Sequence, residues 1–201
     1  MACRQTNQRS KQTLILPAHQ PYTQSVTEKL PYTVVSGGTG FEIRHYPAYL
    51  LVQVHEPGEF FQAGNRAFQP LFNYIAGGNQ AGKKIAMTAP VIQEQVGNDT
   101  HVVSFVMPKD FDIETIPAPS SRNVSIVPVD EHLAAAIKFS GSWNSQRFAG
   151  KGEELLTAVK SAGLETIGSL YWARFDPPFK PGFMKHNEVL IKIKEPIKGN
   201  K

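Results

Sequence analysis

One cysteine, Cys3, stands among 201 residues. That excludes an intrachain disulfide and a cysteine-based metal centre, and it fits a reducing compartment. Basic clusters are also missing. Lys83-Lys84 is the longest run of Lys or Arg, so no nucleic-acid partner is expected, and a net charge of +4 supports only a weak preference for anionic ligands. No apolar run approaches the ~20 residues a membrane helix needs, so no membrane insertion is expected, and no secretory signal is visible. Enzyme signatures are equally scarce. There is no G-x-S-x-G, no H-E-x-x-H and no phosphate-binding loop. Gly37-Gly38-Thr39-Gly40 precedes a strand rather than a helix and reads as a turn. The six histidines offer no pair at i, i+4 spacing, which argues against a zinc site. Cys3 lies in a segment that reads as a tail, where it is no buried nucleophile.

What is present is an ordinary globular composition, 41% hydrophobic and 19% charged, enough for a real core. Residues 1–30 differ from the rest. They are rich in Gln, Ser and Thr and carry no acid before Glu28, so they read as a disordered tail. A transit segment for a plastid or another organelle is the competing reading, against a cytoplasmic protein without one. One domain then spans residues 31–195, with a short C-terminal tail at 196–201, and a monomer is expected.

Within that domain, Tyr32–Val35 and Phe41–His55 read as strands, the second interrupted at Pro47. A helix is predicted over Phe60–Ile75, with Phe61, Phe68, Leu71, Phe72 and Ile75 toward the core and Gln62, Arg66, Gln69 and Asn73 opposite. Gly77-Gly78 stops it. Pro70 falls inside, at a cost of roughly 3 kcal/mol unless packing accommodates it. Strands over Lys84–Val96 and His101–Pro108 meet at a turn around Gly97-Asn98-Asp99. After a loop, Val124–Val129 and His132–Ser140 read as strands and Ser145–Ser161 as a helix. Phe148, Leu155, Leu156 and Val159 line the apolar face of that helix. Ser169–Phe175 and Asn187–Lys194 close the domain as strands. The order strand, helix, strand, strand occurs twice at a nearly constant offset of roughly 84–86 residues, a pattern of internal repetition. The fold class expected is α+β: a distorted antiparallel β-barrel built from two βαββ pseudo-repeats, with two main helices packed on it.

The same strand-to-strand connection is short in the first half and long in the second. The stretch Phe175-Asp176-Pro177-Pro178-Phe179-Lys180-Pro181-Gly182-Phe183-Met184-Lys185-His186 is apolar, basic and proline-rich, and a loop of that length is more often functional than decorative. Phe179, Phe183 and Met184 offer adaptable apolar area to a planar ligand. Lys180 and Lys185 beside them, and Arg66 on the outer face of the first helix with Gln69 and Asn73 below it, could meet carboxylates. The plain alternative is that Arg66, Gln69 and Asn73 form a solvated helix face.

Four stretches, taken together, resemble the SOUL haem-binding family. They are Phe41-Glu42-Ile43-Arg44-His45-Tyr46, Lys84-Ile85-Ala86-Met87-Thr88-Ala89-Pro90-Val91, Phe105-Val106-Met107-Pro108 and the Phe175–Ile191 segment. The resemblance covers about Tyr32 to Ile193. It implies a ligand, haem or metal-free porphyrin, and a shallow cleft between the first helix and the 176–186 loop. It implies tetrapyrrole-binding roles for Arg66, Gln69, Asn73, Phe179 and Lys180, to which the chemistry of the loop adds Phe183 and Lys185. Gln69 and Asn73 stand where relatives often carry apolar residues, including Met. It also makes His45 a candidate axial ligand to haem iron, with His186 a second. The expected function is non-enzymatic tetrapyrrole binding for buffering or transport. Alternatives are a protein-interaction module using the 176–186 loop as its docking surface, and a small-molecule hydrolase on a related fold.

Overall fold

The computed structural model describes residues 27–195; the expectations for residues 1–26 and 196–201 lie outside them. The chain runs β1 (Glu28–Lys29), β2 (Thr33–Gly38), β3 (Phe41–Tyr46), β4 (Tyr49–Pro57), α1 (Phe60–Ile75), β5 (Thr88–Ala89), β6 (Val91–Val96) and β7 (Thr100–Val106). It continues through β8 (Val124–Val129), β9 (His132–Ser140), α2 (Ser145–Ser161), β10 (Thr166–Arg174), a 3-10 turn (Gly182–Met184) and β11 (His186–Ile193). No helix among the described residues is long and apolar enough to cross a membrane.

Both helices occupy the predicted spans. Gly77, at φ 110°, takes the left-handed conformation that ends α1, and Gly78 N–H donates back to Asn73 O at 2.8 Å. Asn144 caps α2 by accepting from Arg147 N–H at 2.9 Å. Pro47 separates β3 from β4, and Pro90 splits the expected Lys84–Val96 strand into β5 and β6.

Nine strands form one antiparallel sheet in the order β2-β3-β9-β11-β10-β6-β7-β4-β8, while β1 pairs with β5 in parallel. The fold is α+β, as expected, but the sheet is not closed into the expected barrel. Its edges are β2, exposed at all six positions, and β8, where Pro128 removes a ladder donor. The sheet nevertheless curls. Tyr49 on β4 and His132 on β9 have ring centroids 6.0 Å apart although their strands are five places apart in the sheet order.

Three apolar clusters follow from strand alternation. Ala67, Leu71 and Ile75 of α1 pack on Val52, Val54, Val103 and Phe105. Leu155 and Val159 of α2 pack on Ile43, Ile137, Val189 and Ile191. Alternate residues, including Tyr46, Leu51, Ile92, Ala136 and Tyr171, fill the other cluster. The core stripe of α1 is therefore Phe60, Ala63, Ala67, Leu71, Tyr74 and Ile75, so Phe68 and Phe72 do not belong to it. In α2, Leu156 likewise turns out to solvent.

Candidate functional site

A cleft of about 450 Å³ lies beside α1. Its wall on the helix is Gly64, Asn65, Phe68 and Phe72, and opposite are Trp143, Arg174, Phe175, Asp176, Pro177 and Pro178. Thr27, Met87, Thr88, Ala89 and Val91 complete the lining. Phe68 and Phe72, one helical turn apart, are stacked at 6.0 Å between centroids and 12° between planes, and they remain 43% and 46% exposed. With Met87 they make an apolar face beside α1, and Phe68 is braced edge-on by the buried Phe105 at 5.4 Å.

The floor is polar. Arg174 and Gln93 are diagonal neighbours across the β10–β6 pair, since Trp172 faces Gln93 and Arg174 faces Val91. Arg174 Nη2 donates to Gln93 Oε1 at 3.1 Å, and Gln93 Nε2 donates to Phe60 O at 2.8 Å. The guanidinium lies 4.9 Å from the Trp143 ring centroid, a cation–π contact. Gly64 makes room for this pair. A Cβ there would sit 2.9 Å from Gln93 Oε1 and 3.4 Å from both Arg174 Nη atoms.

The long loop is held at both ends. Asp176 accepts from Lys180 Nζ at 2.6 Å and from His186 N–H at 2.5 Å. Burial works against the Asp176 charge, but these hydrogen bonds outweigh it and hold its carboxyl below the usual aspartate range. Lys185 is buried, donates to Pro178 O at 2.9 Å and sits 4.3 Å over the Trp143 ring. His186 stacks on Phe175 with centroids 4.1 Å apart, and His186 Nε2 meets Glu188 Oε1 at 2.7 Å. Glu188 accepts in turn from both terminal nitrogens of the buried Arg44, at 2.7 and 3.2 Å. Arg44, inside the first of the four motifs, thus ties β3 to the strand that leaves the loop.

The residues singled out in the sequence are scattered around this cleft. Arg66 Nε pairs with Glu56 at 3.0 Å and Arg66 also donates to Pro57 O. Gln69 Nε2 donates to Asn73 Oδ1 at 2.7 Å on the exposed surface of α1, next to the Phe68–Phe72 stripe rather than in the lining. Phe179 and Phe183 are 89% and 79% exposed on the loop. His45 lies on β3, half-exposed, with Nε2 3.6 Å from Glu131, and is not part of the cleft lining. Among the described residues no group of three His, Cys, Asp or Glu side chains could hold a metal ion. Phe68, Phe72, Trp143 and Arg174 were not foreseen as lining. The phenylalanines were read as core because their spacing fits a buried stripe as well as an open one. An arginine interrupting the otherwise apolar run from Leu170 to Phe175 is the signal that could have marked the floor.

The architecture is thus that of an α+β domain with an open apolar cleft at the edge of a helix and a polar base. The chain belongs to the SOUL heme-binding protein family, whose model matches residues 27–192. It is 26% identical over 141 residues to Heme-binding protein 1 of Bos taurus, covering 67% of this chain and 73% of that protein. Heme-binding protein 1 of Mus musculus is 26% identical over 137 residues, covering 65% and 71%. Among solved structures, the EcmrR C-terminal domain superposes with a TM-score of 0.61 at 12% identity, over 82% of this chain and 99% of that one. A hydrolase from Listeria innocua does so with a TM-score of 0.51 at 10% identity, over 80% and 94%. At these identities the two structures share the fold alone.

Proposed function

We propose that this protein binds haem or a related tetrapyrrole, metal-free porphyrin included, without catalysing a reaction, and so buffers or carries it. The observation that carries this is the cleft beside α1 in a chain of the SOUL family. Its volume falls within the ~300–1,000 Å³ of small-molecule sites. A flat ring would lie on Phe68, Phe72 and Met87, with Pro177 and Pro178 opposite and Phe179 and Phe183 folding over its outer edge. Lys180 would meet a propionate at the rim only after leaving Asp176. Arg66 and Lys185 would assist only after leaving Glu56 and Pro178 O, and Gln69 and Asn73 border the ring's exposed side. His45, outside the lining, would ligate iron only at a separate site. The one acid of the lining, Asp176, accepts from Lys180 and from His186 N–H, and these bonds lower its basicity, which disfavours a hydrolase. The pattern of two βαββ units is part of the same reading: β3 pairs with β9 and β8 with β4, so each half lends a strand to the other.

The test is an absorbance titration with haem and with protoporphyrin IX. Wild type should bind both at micromolar protein. Phe68→Ser with Phe72→Ser should weaken both by roughly tenfold or more, because stacking on two aromatics is lost, while the fold survives. No spectral change for wild type with either ligand refutes the proposal. A second reading, docking of a protein partner, is favoured by the exposure of Phe179, Phe183 and Met184 together on one loop. A partner lost on Phe179→Ser with Phe183→Ser, with porphyrin affinity unchanged, would favour it.

A further inference from the structure

Arg174 is 7% exposed and forms no ion pair among the described residues. Its Nη2 has a neutral partner, Gln93, and its Nε has no hydrogen bond at all. Burial pushes the guanidinium pKa down to about 10. A charge held in that setting works against the fold, since desolvation is offset by neither an acid nor a full set of acceptors. Yet the surroundings are built to keep it. Gln93 is fixed by its own bond to Phe60 O, Trp143 offers its ring face, and Gly64 leaves the space a side chain would fill. Arg174 itself lines the cleft, together with Phe68 and Pro177.

We infer that Arg174 is the anion anchor of the cleft: a flat apolar ligand enters with one carboxylate pointing inward, and that carboxylate is the missing counter-charge of the guanidinium. The inference rests on the cleft being the ligand site, and it names the end of the ligand that leads. For a tetrapyrrole, one propionate would point to Arg174 at the base and the other toward Lys180 at the rim. A carboxylate received by a desolvated, pre-positioned guanidinium gains charge-assisted hydrogen bonds that an uncharged isostere lacks.

The experiment is isothermal titration of the whole chain with 2-naphthoate and with its neutral isostere, 2-naphthamide, in wild type, Arg174→Gln and Arg174→Lys. Wild type should bind the carboxylate about tenfold or more tighter than the amide, the size expected of hydrogen bonds to a charged group. R174Q should reduce that preference to below about twofold with amide affinity unchanged, and R174K should keep part of it because charge persists without the planar fork. R174Q should melt at or above the wild-type temperature, since an unpaired buried charge is removed. The inference is overturned if wild type shows no preference, if R174Q retains it, or if R174Q melts well below wild type, which would make the arginine structural. Protoporphyrin IX titrations of wild type and R174Q separate this from the functional proposal. Carboxylate preference through Arg174 with no porphyrin binding sinks the tetrapyrrole reading alone. Equal porphyrin binding by wild type and R174Q sinks the anchor alone.

Discussion

Replacing Glu188 by glutamine tests the buried ion pair that joins β3 to β11 and to the cleft loop. Arg44 and Glu188 side chains are each 1% exposed, and the carboxylate takes two guanidinium bonds at 2.7 and 3.2 Å. Removing one charge from such a pair strands the other, at a cost of about 3–5 kcal/mol. Two features place the loss near the lower end. Glu42 still pairs with Arg44 at 2.7 Å, and Tyr32 keeps its ring 4.1 Å from the guanidinium. A loss of about 3 kcal/mol corresponds to roughly 6–12 °C in melting temperature for a chain of this size. Denaturant unfolding at neutral pH gives the value directly, and a loss under about 1 kcal/mol refutes the reasoning. The pH dependence is a second arm. Burial opposes the Glu188 charge, but hydrogen bonds from His186 and Arg44 and the Arg44 charge outweigh it, so its native pKa lies below the ordinary 4.5. A depressed native value contributes stability that is complete above 4.5 and is lost as pH falls through the lower native value. The gap between wild type and E188Q should therefore be constant at neutral pH and close in acid; a gap that widens in acid contradicts the sign. The double change Arg44→Met with Glu188→Leu should recover much of the loss, as replacing a whole buried pair is often nearly neutral.

Other outcomes follow from the same packing. Leu71→Ala, at a fully buried position on the core face of α1, should cost about 2–5 kcal/mol in denaturant unfolding without altering the cleft lining. Gly182→Ala would place a Cβ 2.9 Å from Ser142 N, against backbone that cannot step aside, so the 3-10 turn should shift. Faster proteolysis across 175–185 and weaker porphyrin binding are expected, and an unchanged cleavage rate would contradict it. Lys180→Glu sets a carboxylate beside Asp176 where an ion pair at 2.6 Å stood. Porphyrin affinity should fall roughly tenfold or more, and unchanged affinity removes Lys180 from the site.

Much of the fold was legible because its signals are local. Glycine pairs, prolines and apolar spacing mark both helices, the β3–β4 break and the short β6–β7 turn, and each acts within a few residues of itself. Side-chain facing on α1 was less legible. Phe68 and Phe72 belong to a stripe that is apolar by composition, and nothing local distinguishes an apolar face that meets a sheet from one left open beside it. The barrel was also beyond local signals. Whether β2 meets β8 depends on curvature accumulated over nine strands, and each strand alone is compatible with either outcome.

By itself the sequence determined both helices and the order of the main strands around them, the α+β class, the unusual length of the 175–185 connection and, through four motifs, the family; β1, inside the segment read as a tail, it did not. These are properties of residue type and spacing, which need no partner across space. Tertiary structure alone decided which side of α1 is open and why Arg44 and Glu188 sit in motifs 144 residues apart. It also decided that Arg174 lies at an apolar cleft with no ion-pair partner among the described residues. Burial and charge pairing are relations between distant segments. An arginine's cost or use is set by what the rest of the chain brings to it, and that is fixed only when the sheet has curled and the helix has docked.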